Sequence, residues 1–284
     1  MPASITPRRY EEPPIVLTFD LEEWFCLCGD DYYGDARRWG SFEPRVETIT
    51  QRLLELLAEG GHRATFFVLG WVARRHPRLV REIAGAGHEI GFHTMRHRRR
   101  GELSDTEFRA EAREGRLLLE DLSGAPVAGF RAAEWSIYSL SDPALAILAE
   151  EDYRYDSSVT PVPLIGRAGN DPYPSQLEFP GGRRLTEFPP LSGRAYFTTV
   201  LVGGSWAFRS IPFRYLKRLL DEHRAAGAPA IFDFHPWEFD RSHPHMTGLP
   251  ALSRLAHFGT WVDLEKRFRR LLSLERTRAL GELL

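Results

Sequence analysis

Five short segments of this chain bring together residue types that can do chemistry on one another. The first is Thr18-Phe19-Asp20-Leu21-Glu22-Glu23. Side chains alternate along a strand, so Asp20 and Glu22 share one face and Leu21 and Glu23 the other. Two carboxylates at a strand end can hold a cation or move protons, although the same run also reads as a solvated acidic loop. The second is His93-Thr94-Met95-Arg96-His97. An H-x-x-x-H spacing sets both imidazoles on one side of a helical turn. Two neutral imidazoles and one carboxylate make a three-ligand catalytic zinc set that keeps a position open for water. Surface histidines recur at this spacing by chance. Here the pair follows a strand and a carboxylate pair follows another, which favours a site.

The third segment is Gly129-Phe130-Arg131-Ala132-Ala133-Glu134-Trp135-Ser136. Alone, Arg131 is a surface charge; beside an acidic metal site, its planar fork can hold a carboxylate in one orientation. The fourth, Tyr155-Asp156-Ser157-Ser158, has the composition of a turn or a helix cap. The fifth is Asp233-Phe234-His235-Pro236-Trp237-Glu238. A histidine at a strand end, followed by proline and an aromatic, is positioned rather than flexible. It fits a third metal ligand or a general acid.

The elements that position these residues alternate in type. Apolar runs predict buried strands at 15–20, 64–69, 88–92, 127–131 and 230–234, with further candidates at 153–156 and 185–188. Helical spacing predicts helices over 46–59, 79–84, 106–122, 143–149, 213–226 and 264–274, several of them stopped by glycine. Strands alternating with helices mean an α/β protein with a mostly parallel sheet. About seven such units fit a closed or nearly closed barrel, whose sites sit at the C-terminal ends of the strands. An open doubly wound sheet is the competitor, but no glycine-rich phosphate loop follows the first strand. Residues 1–14 read as an N-terminal extension and 15–284 as a single domain.

Composition narrows the function classes. With 43% hydrophobic residues, the 284-residue chain can bury a core without staples, which excludes disorder throughout. The 37 basic residues against 39 acidic ones argue against a nucleic-acid binder. No apolar stretch reaches the length of a bilayer span, and Met1 to Pro14 lacks the apolar region of a secretory signal. Cys26 and Cys28 are too close for an ordinary bridge and read as thiols in a reducing compartment. The expectation is a soluble, cytoplasmic protein, although a chain trimmed of its signal would read the same way. Oligomeric state is unreadable. The aromatic cluster Trp24, Phe25, Tyr32, Tyr33 and Trp39 lines a glycan groove or packs as a lid, and His243-x-His245 is expected to be exposed.

In order and character the five segments resemble the motifs of the polysaccharide deacetylase family, the NodB-homology or carbohydrate esterase family 4 domain. Ala64 to Val72 (ATFFVLGWV), Gly87-His88-Glu89-Ile90, YDSS at 155–158 and FHPWE at 234–238 resemble the branch associated with exosortase/PEP-CTERM exopolysaccharide loci. The resemblance implies a distorted (β/α)7-type barrel and a metal-dependent hydrolase of N-acetylated sugars. It implies Asp20 as general base, His93 and His97 as metal ligands, and Arg131 as the residue that orients the base. His235 would be the general acid, Asp156 the acid that tunes His235, and Trp135 and Trp237 walls for a sugar ring. The implied cofactor is a divalent metal, Zn2+ first, with Co2+ or Ni2+ as alternatives.

The chain departs from that pattern in three places. Leu21 replaces the usual second aspartate, and strand alternation makes Glu22 the natural substitute, with Glu23 open if the strand ends early. Ala133 stands where the third motif usually has proline, which would loosen the loop carrying Arg131. The run Arg96 to Arg100 is Arg-rich, which suits either a phosphate-bearing substrate or a solvated loop. An O-acetyl esterase, a hydrolase of a non-sugar amide or cyclic imide, and a non-catalytic glycan-binding barrel remain alternatives.

Overall fold

The run Ile15-Val16-Leu17-Thr18-Phe19-Asp20-Leu21 is buried at every residue, as expected for a strand covered on both faces. It is one of several such strands in the computed structural model, which describes residues 1–163, 165–195, 198–242, 244, 246–249 and 263–284. In chain order the elements begin β1 (Ser4–Pro7), β2 (Ile15–Leu21), α1 (Val46–Glu59), β3 (Thr65–Val68), α2 (Gly70–Arg75), α3 (Pro77–Gly85) and β4 (Glu89–Phe92). There follow α4 (Asp105–Ser123), β5 (Gly129–Phe130), α5 (Pro143–Glu150), β6 (Tyr155–Asp156), β7 (Ser175–Glu178) and β8 (Arg184–Glu187). The chain ends with β9 (Ser192–Ala195), β10 (Thr198–Leu201), α6 (Ser205–Ser210), α7 (Phe213–Ala225), β11 (Ala230–Phe234) and α8 (Leu264–Leu272).

Among the described residues the main sheet has the order β1-β7-β8-β6-β5-β4-β3-β2-β11. From β11 across to β8 every pairing is parallel, while β7 and β1 add an antiparallel edge. The sheet curls without a ladder joining β11 to β8. Loop backbone bridges that seam: Leu191 N–H donates to Ile231 O, and Asp233 N–H donates to Gly203 O. The expected parallel α/β barrel is therefore present in curled, incompletely closed form.

The predicted strands and helices fall where the periodicity places them, with ends shifted by a few residues. Helix α4 starts at a Ser104/Glu107 capping box and stops at Gly124, whose φ of 70° suits glycine. The periodicity does not reveal β1, which lies inside the expected extension. All four of its residues are exposed, so it has no buried face to leave a pattern. The β9–β10 hairpin and the single-turn-scale helices α2 and α6 are equally silent. Among the described residues no helix is long and apolar enough to cross a membrane.

Aromatic packing under β2 locks the strand ends in place. Phe19 stacks on Phe66 at 4.9 Å and meets Phe234 and Phe268, each at 6.1 Å. Burying each such ring stabilises the fold by about 1.5–3 kcal/mol.

Candidate active site

Parallel strands in register deliver their C-terminal residues to one rim. Asp20 pairs across to Phe67, Phe92 to Phe130, and Phe130 to Asp156. The next residues out, Glu22, His93, Arg131, Ser157 and His235, therefore gather above the sheet. His97 arrives from the loop that follows β4.

Two imidazoles and a carboxylate form the first cluster. Ligand-type atoms of Glu22, His93 and His97 lie within 4.8 Å of one another, and all three residues are buried. His93 Nδ1 is 2.9 Å from the Arg131 carbonyl oxygen. A carbonyl only accepts, so Nδ1 carries the proton and Nε2 offers a lone pair to the cluster. That Nε2 is buried without a hydrogen-bond partner. Glu22 Oε2 lies 2.8 Å from His97 Nε2 and 3.9 Å from His93 Nε2, yet it too lacks an aligned hydrogen bond. Burial holds the His93 ring neutral by pushing it down to about 4. At His97 burial is outweighed by Glu22 and Cys28, which raise the ring well above its ordinary value. Buried polar atoms rarely go unpaired. Two orphaned lone-pair atoms beside a second imidazole, all within 4.8 Å of one another, fit a divalent cation.

Arg131 organises the second cluster. Its guanidinium is fully buried, and one nitrogen donates to Asp20 Oδ1 at 2.8 Å, Asp233 Oδ1 at 2.5 Å and Thr18 Oγ1 at 2.8 Å. Its Nε donates to the Ser157 carbonyl oxygen and its other nitrogen to Ser157 Oγ. Burial works against an ionised Asp20, but His93, Arg131 and His235 hold it below the usual carboxylate range. Because His93 is neutral, the positive charge in that set comes from Arg131 and His235. Burial and the neighbouring Asp20 raise Asp233 to about 8. Asp20, Asp233 and His235 also lie within metal-ligand distance of one another. The guanidinium already bridges the two carboxyls, so that position is filled by an organic cation.

His235 stands at the cleft floor with its Nε2 3.7 Å from Glu22 Oε1. Glu238 Oε2 accepts its backbone N–H at 2.8 Å and lies 3.4 Å from its Nδ1. Burial opposes the charged ring, but Glu238, Glu22 and Asp233 raise it to about 10. The ring thus holds a proton at neutral pH.

Several expectations change on contact with the structure. The His93–His97 segment is not a helical turn: Thr94 and His97 adopt φ of 60° and 52°, and the segment loops back with His97 N–H donating to Thr94 Oγ1. The rings still meet, with centroids 5.2 Å apart. Glu23 turns away from the cluster, because both its oxygens accept the N–H of Arg45 and one also that of Val46 at the start of α1. Asp156 is engaged elsewhere: its oxygens accept Ser158 N–H and Oγ–H, and Glu187 is its neighbouring carboxyl. Asp156 shapes the turn on which Arg131 rests, and the carboxylates beside His235 are Glu238 at Nδ1 and Glu22 at Nε2. Trp237 is only 8% exposed; its ring lies 5.1 Å from His235 and its Nε1 is 3.5 Å from Glu22 Oε1, and it lines the cleft beside them.

The Ala133 loop is tethered without proline, since Ala132 N–H donates to Ser158 Oγ at 2.8 Å. Arg98, Arg99 and Arg100 pair with Glu111, Glu134 and Asp105, which leaves Arg96 as the exposed arginine of that run. Trp24, Phe25, Tyr33 and Trp39 are buried against Phe42 and Trp71 as a packed lid, whereas Tyr32 of the same cluster is 52% exposed. His243 and His245 lie outside the described residues.

Sequence reasoning passed over Asp233, Glu238 and Trp206. An aspartate inside the apolar strand Ala230-Ile231-Phe232-Asp233-Phe234, two residues before His235, was the available signal for the first. The cleft above these groups has a volume of about 460 Å³. Asp20, Glu22, Asp233 and His235 line its floor, and Trp135, Val162, Ile165, Val200, Leu201 and Trp206 its walls. Trp206 is 47% exposed.

Known proteins resemble this chain over different extents. The family model described as polysaccharide deacetylase matches residues 8–155, and one described as a domain of unknown function (DUF3473) matches 157–283. A peptidoglycan-N-acetylglucosamine deacetylase of Bacillus cereus is 37% identical over 73 residues, 26% of this chain and 34% of that protein. A chitooligosaccharide deacetylase of Rhizobium leguminosarum bv. trifolii is 50% identical over 48 residues, 17% of this chain and 22% of its own. The matches thus span about a third or less of these relatives' lengths. A solved Mycobacterium smegmatis structure described as a polysaccharide deacetylase superposes with a TM-score of 0.64 at 21% identity, covering 100% of this chain and 93% of that one. An allantoinase superposes at 0.58 and 19% identity, covering 95% and 87%, so the fold alone does not select a substrate. The deacetylase model covers just over half of the sequence, and the chain belongs to the polysaccharide deacetylase family.

Proposed function

We propose that this protein is a metal-dependent N-deacetylase of a carbohydrate, with an N-acetylhexosamine unit as the simplest substrate. One observation carries the reading: the unpartnered His93 Nε2 and Glu22 Oε2 converge with His97 beside an ionised Asp20 and a protonated His235. Glu22, His93 and His97 would hold the cation. A bound Zn2+ supplies a Lewis acid for the acetyl carbonyl and lowers the pKa of water to about 7.

The chain's own groups divide the proton work. Asp20, pinned through Oδ1 by Arg131, accepts a proton from the attacking water through Oδ2. His235, held through Nδ1 by Glu238, gives its Nε2 proton to the leaving amine. Water adds to the acetyl carbon, the C–N bond breaks, and acetate and an amino sugar leave. Trp135 and Trp206 flank the cleft where a sugar ring would stack. Zn2+ is the preferred metal, with Co2+ or Ni2+ as alternatives, because two imidazoles and a carboxylate accept all three.

The motif run ATFFVLGWV, YDSS and FHPWE supports the exosortase-locus branch, and two unbridged cysteines support a reducing, cytoplasmic setting. The decisive experiment measures acetate released from N-acetylated and O-acetylated glycans by chelated and metal-reloaded enzyme. Asp20→Asn and His235→Ala should each lose on the order of 10²-fold or more in kcat. Both should keep their metal, whereas His93→Ala and Glu22→Ala should lose it. Preference for the O-acetyl substrate would make the protein an esterase. No release from either by the metal-loaded protein would leave a glycan-binding barrel.

A further inference from the structure

The two imidazoles of the cluster are held from behind by different partners. His93 leans on a backbone carbonyl, whereas His97 Nδ1 lies 3.4 Å from Cys28 Sγ. The same sulfur donates its S–H to the His97 carbonyl oxygen at 3.0 Å. A thiol has one hydrogen to give, and here the carbonyl takes it. The sulfur lone pairs are then free to accept from His97 Nδ1–H, which leaves Nε2 to face Glu22. Cys28 therefore grips His97 at two points, ring and backbone, in a residue whose φ of 52° is unusual for a side-chain-bearing residue.

The sulfur also sits at the opposite end of the ring from the cluster. Glu22 Oε2 is 2.8 Å from Nε2, and the imidazole separates it from Sγ. Resting on the metal-binding reading of Glu22, His93 and His97, we propose that Cys28 is a positioning residue for that site. It sets the tautomer and aim of His97 without touching the cation. Partners of this kind behind a ligand imidazole commonly govern metal affinity by 10- to 100-fold. The orphaned His93 Nε2 and Glu22 Oε2 on the far side of the ring supply the independent sign that there is a ligand to aim at.

The test is Zn2+ affinity of the full chain by competition with a chromophoric chelator, comparing wild type, Cys28→Ala and Cys28→Ser. Alanine should weaken binding by roughly tenfold or more. Serine, which can still donate and accept, should recover most of that loss. Thermal midpoints of the three metal-free proteins should agree, which separates aiming from folding. Co2+-loaded wild type should lack the intense near-ultraviolet band of a thiolate–cobalt bond. Wild-type affinity in Cys28→Ala, a serine variant as weak as alanine, or a thiolate–cobalt band would each overturn the proposal. A wild type that binds neither ion would remove the metal reading itself, a result distinct from metal that binds and ignores Cys28.

Discussion

Residues 8–155 and 157–283 share one sheet and contribute unlike parts to one cleft. The first region carries Asp20, Glu22, His93, His97 and Arg131, set at or just beyond the ends of adjacent parallel strands. The second contributes Asp233, His235 and Glu238 from one strand end, and then Val162, Ile165, Val200, Leu201 and Trp206 along the walls. The first region is thus polar, buried and over-determined by hydrogen bonds. The second adds one proton-holding histidine and a largely apolar surface. The polar groups sit at the ends of strands, while the apolar walls sit on loops, a hairpin and the short helix α6, which can vary without disturbing them.

The sharpest way to break this comparison is to cut the chain between the regions. We propose that they fold as one unit. β11 pairs with β2 from Ala230 opposite Ile15 to Phe234 opposite Phe19, and β8 pairs with β6. Removal of residues 157–284 would strip the outer neighbour from β2, uncover Phe19 and take Ser157 and Asp233 from Arg131. The 1–156 fragment should show no cooperative thermal unfolding. A sharp transition with native-like circular dichroism would mean that the regions are separable domains.

Arg131 is a fully buried side chain that spans the divide, donating to Asp20 on one side and to Asp233 and Ser157 on the other. Replacing it with methionine leaves the ionised Asp20 buried without its counter-charge. Removing one member of such a buried set costs about 3–5 kcal/mol. Urea unfolding of Arg131→Met should lose that amount, and Arg131→Lys should recover only part, because a point charge cannot bond several acceptors in a plane. Loss of less than about 1 kcal/mol in the methionine variant would show that the regions are not coupled through this residue.

What the sequence made legible follows the same division. Apolar runs and helical spacing located the strands of the parallel sheet, because their burial on both faces leaves a continuous hydrophobic signal. Strand alternation singled out Glu22 from Glu23, and the structure turns those two side chains in different directions. Periodicity could not foresee that His93 and His97 meet through a loop with two left-handed residues, since H-x-x-x-H fits a helix as well. Nor could it identify the partner of His235. Asp156 and Glu238 are both acidic, and only the three-dimensional arrangement decides which one touches the ring. The walls were least legible: β9 and β10 have four residues each and α6 six, too few to carry a periodic signature.

A smaller effect concerns how the second region supports the first. Asp156 and Glu187 form a buried carboxyl pair beneath the turn that seats Arg131. Burial raises Asp156 to about 6, and burial together with Asp156 raises Glu187 well above its ordinary value. Between pH 3.8, the ordinary Asp value, and these raised ones, the folded state keeps protons that the unfolded chain has released. Stability therefore falls as pH rises through that window. Glu187→Gln supplies a permanent amide donor to Asp156 and removes the shared proton. Its denaturation midpoint should depend less on pH from about 4 to 7 than that of wild type, by on the order of 1 kcal/mol across the range. Parallel curves for the two proteins would show that the pair shares no proton.

The smallest expected effect bears on the walls alone. Trp206 projects from α6 into the cleft and is 47% exposed, so little of the fold depends on it. If the walls bind substrate while the strand-end groups of both regions perform the proposed chemistry, Trp206→Ala should remove a stacking surface and leave the reacting groups in place. An aromatic contact of this sort is worth about 1 kcal/mol, or roughly fivefold in binding. With an N-acetylglucosamine oligosaccharide as substrate, KM should rise by about that factor while kcat stays within about twofold, the pattern of lost uniform binding. A matching fall in kcat at unchanged KM would place Trp206 among the groups that act only in the transition state. The division between strand-end chemistry and binding walls would then give way to one in which the walls also take part in the reaction.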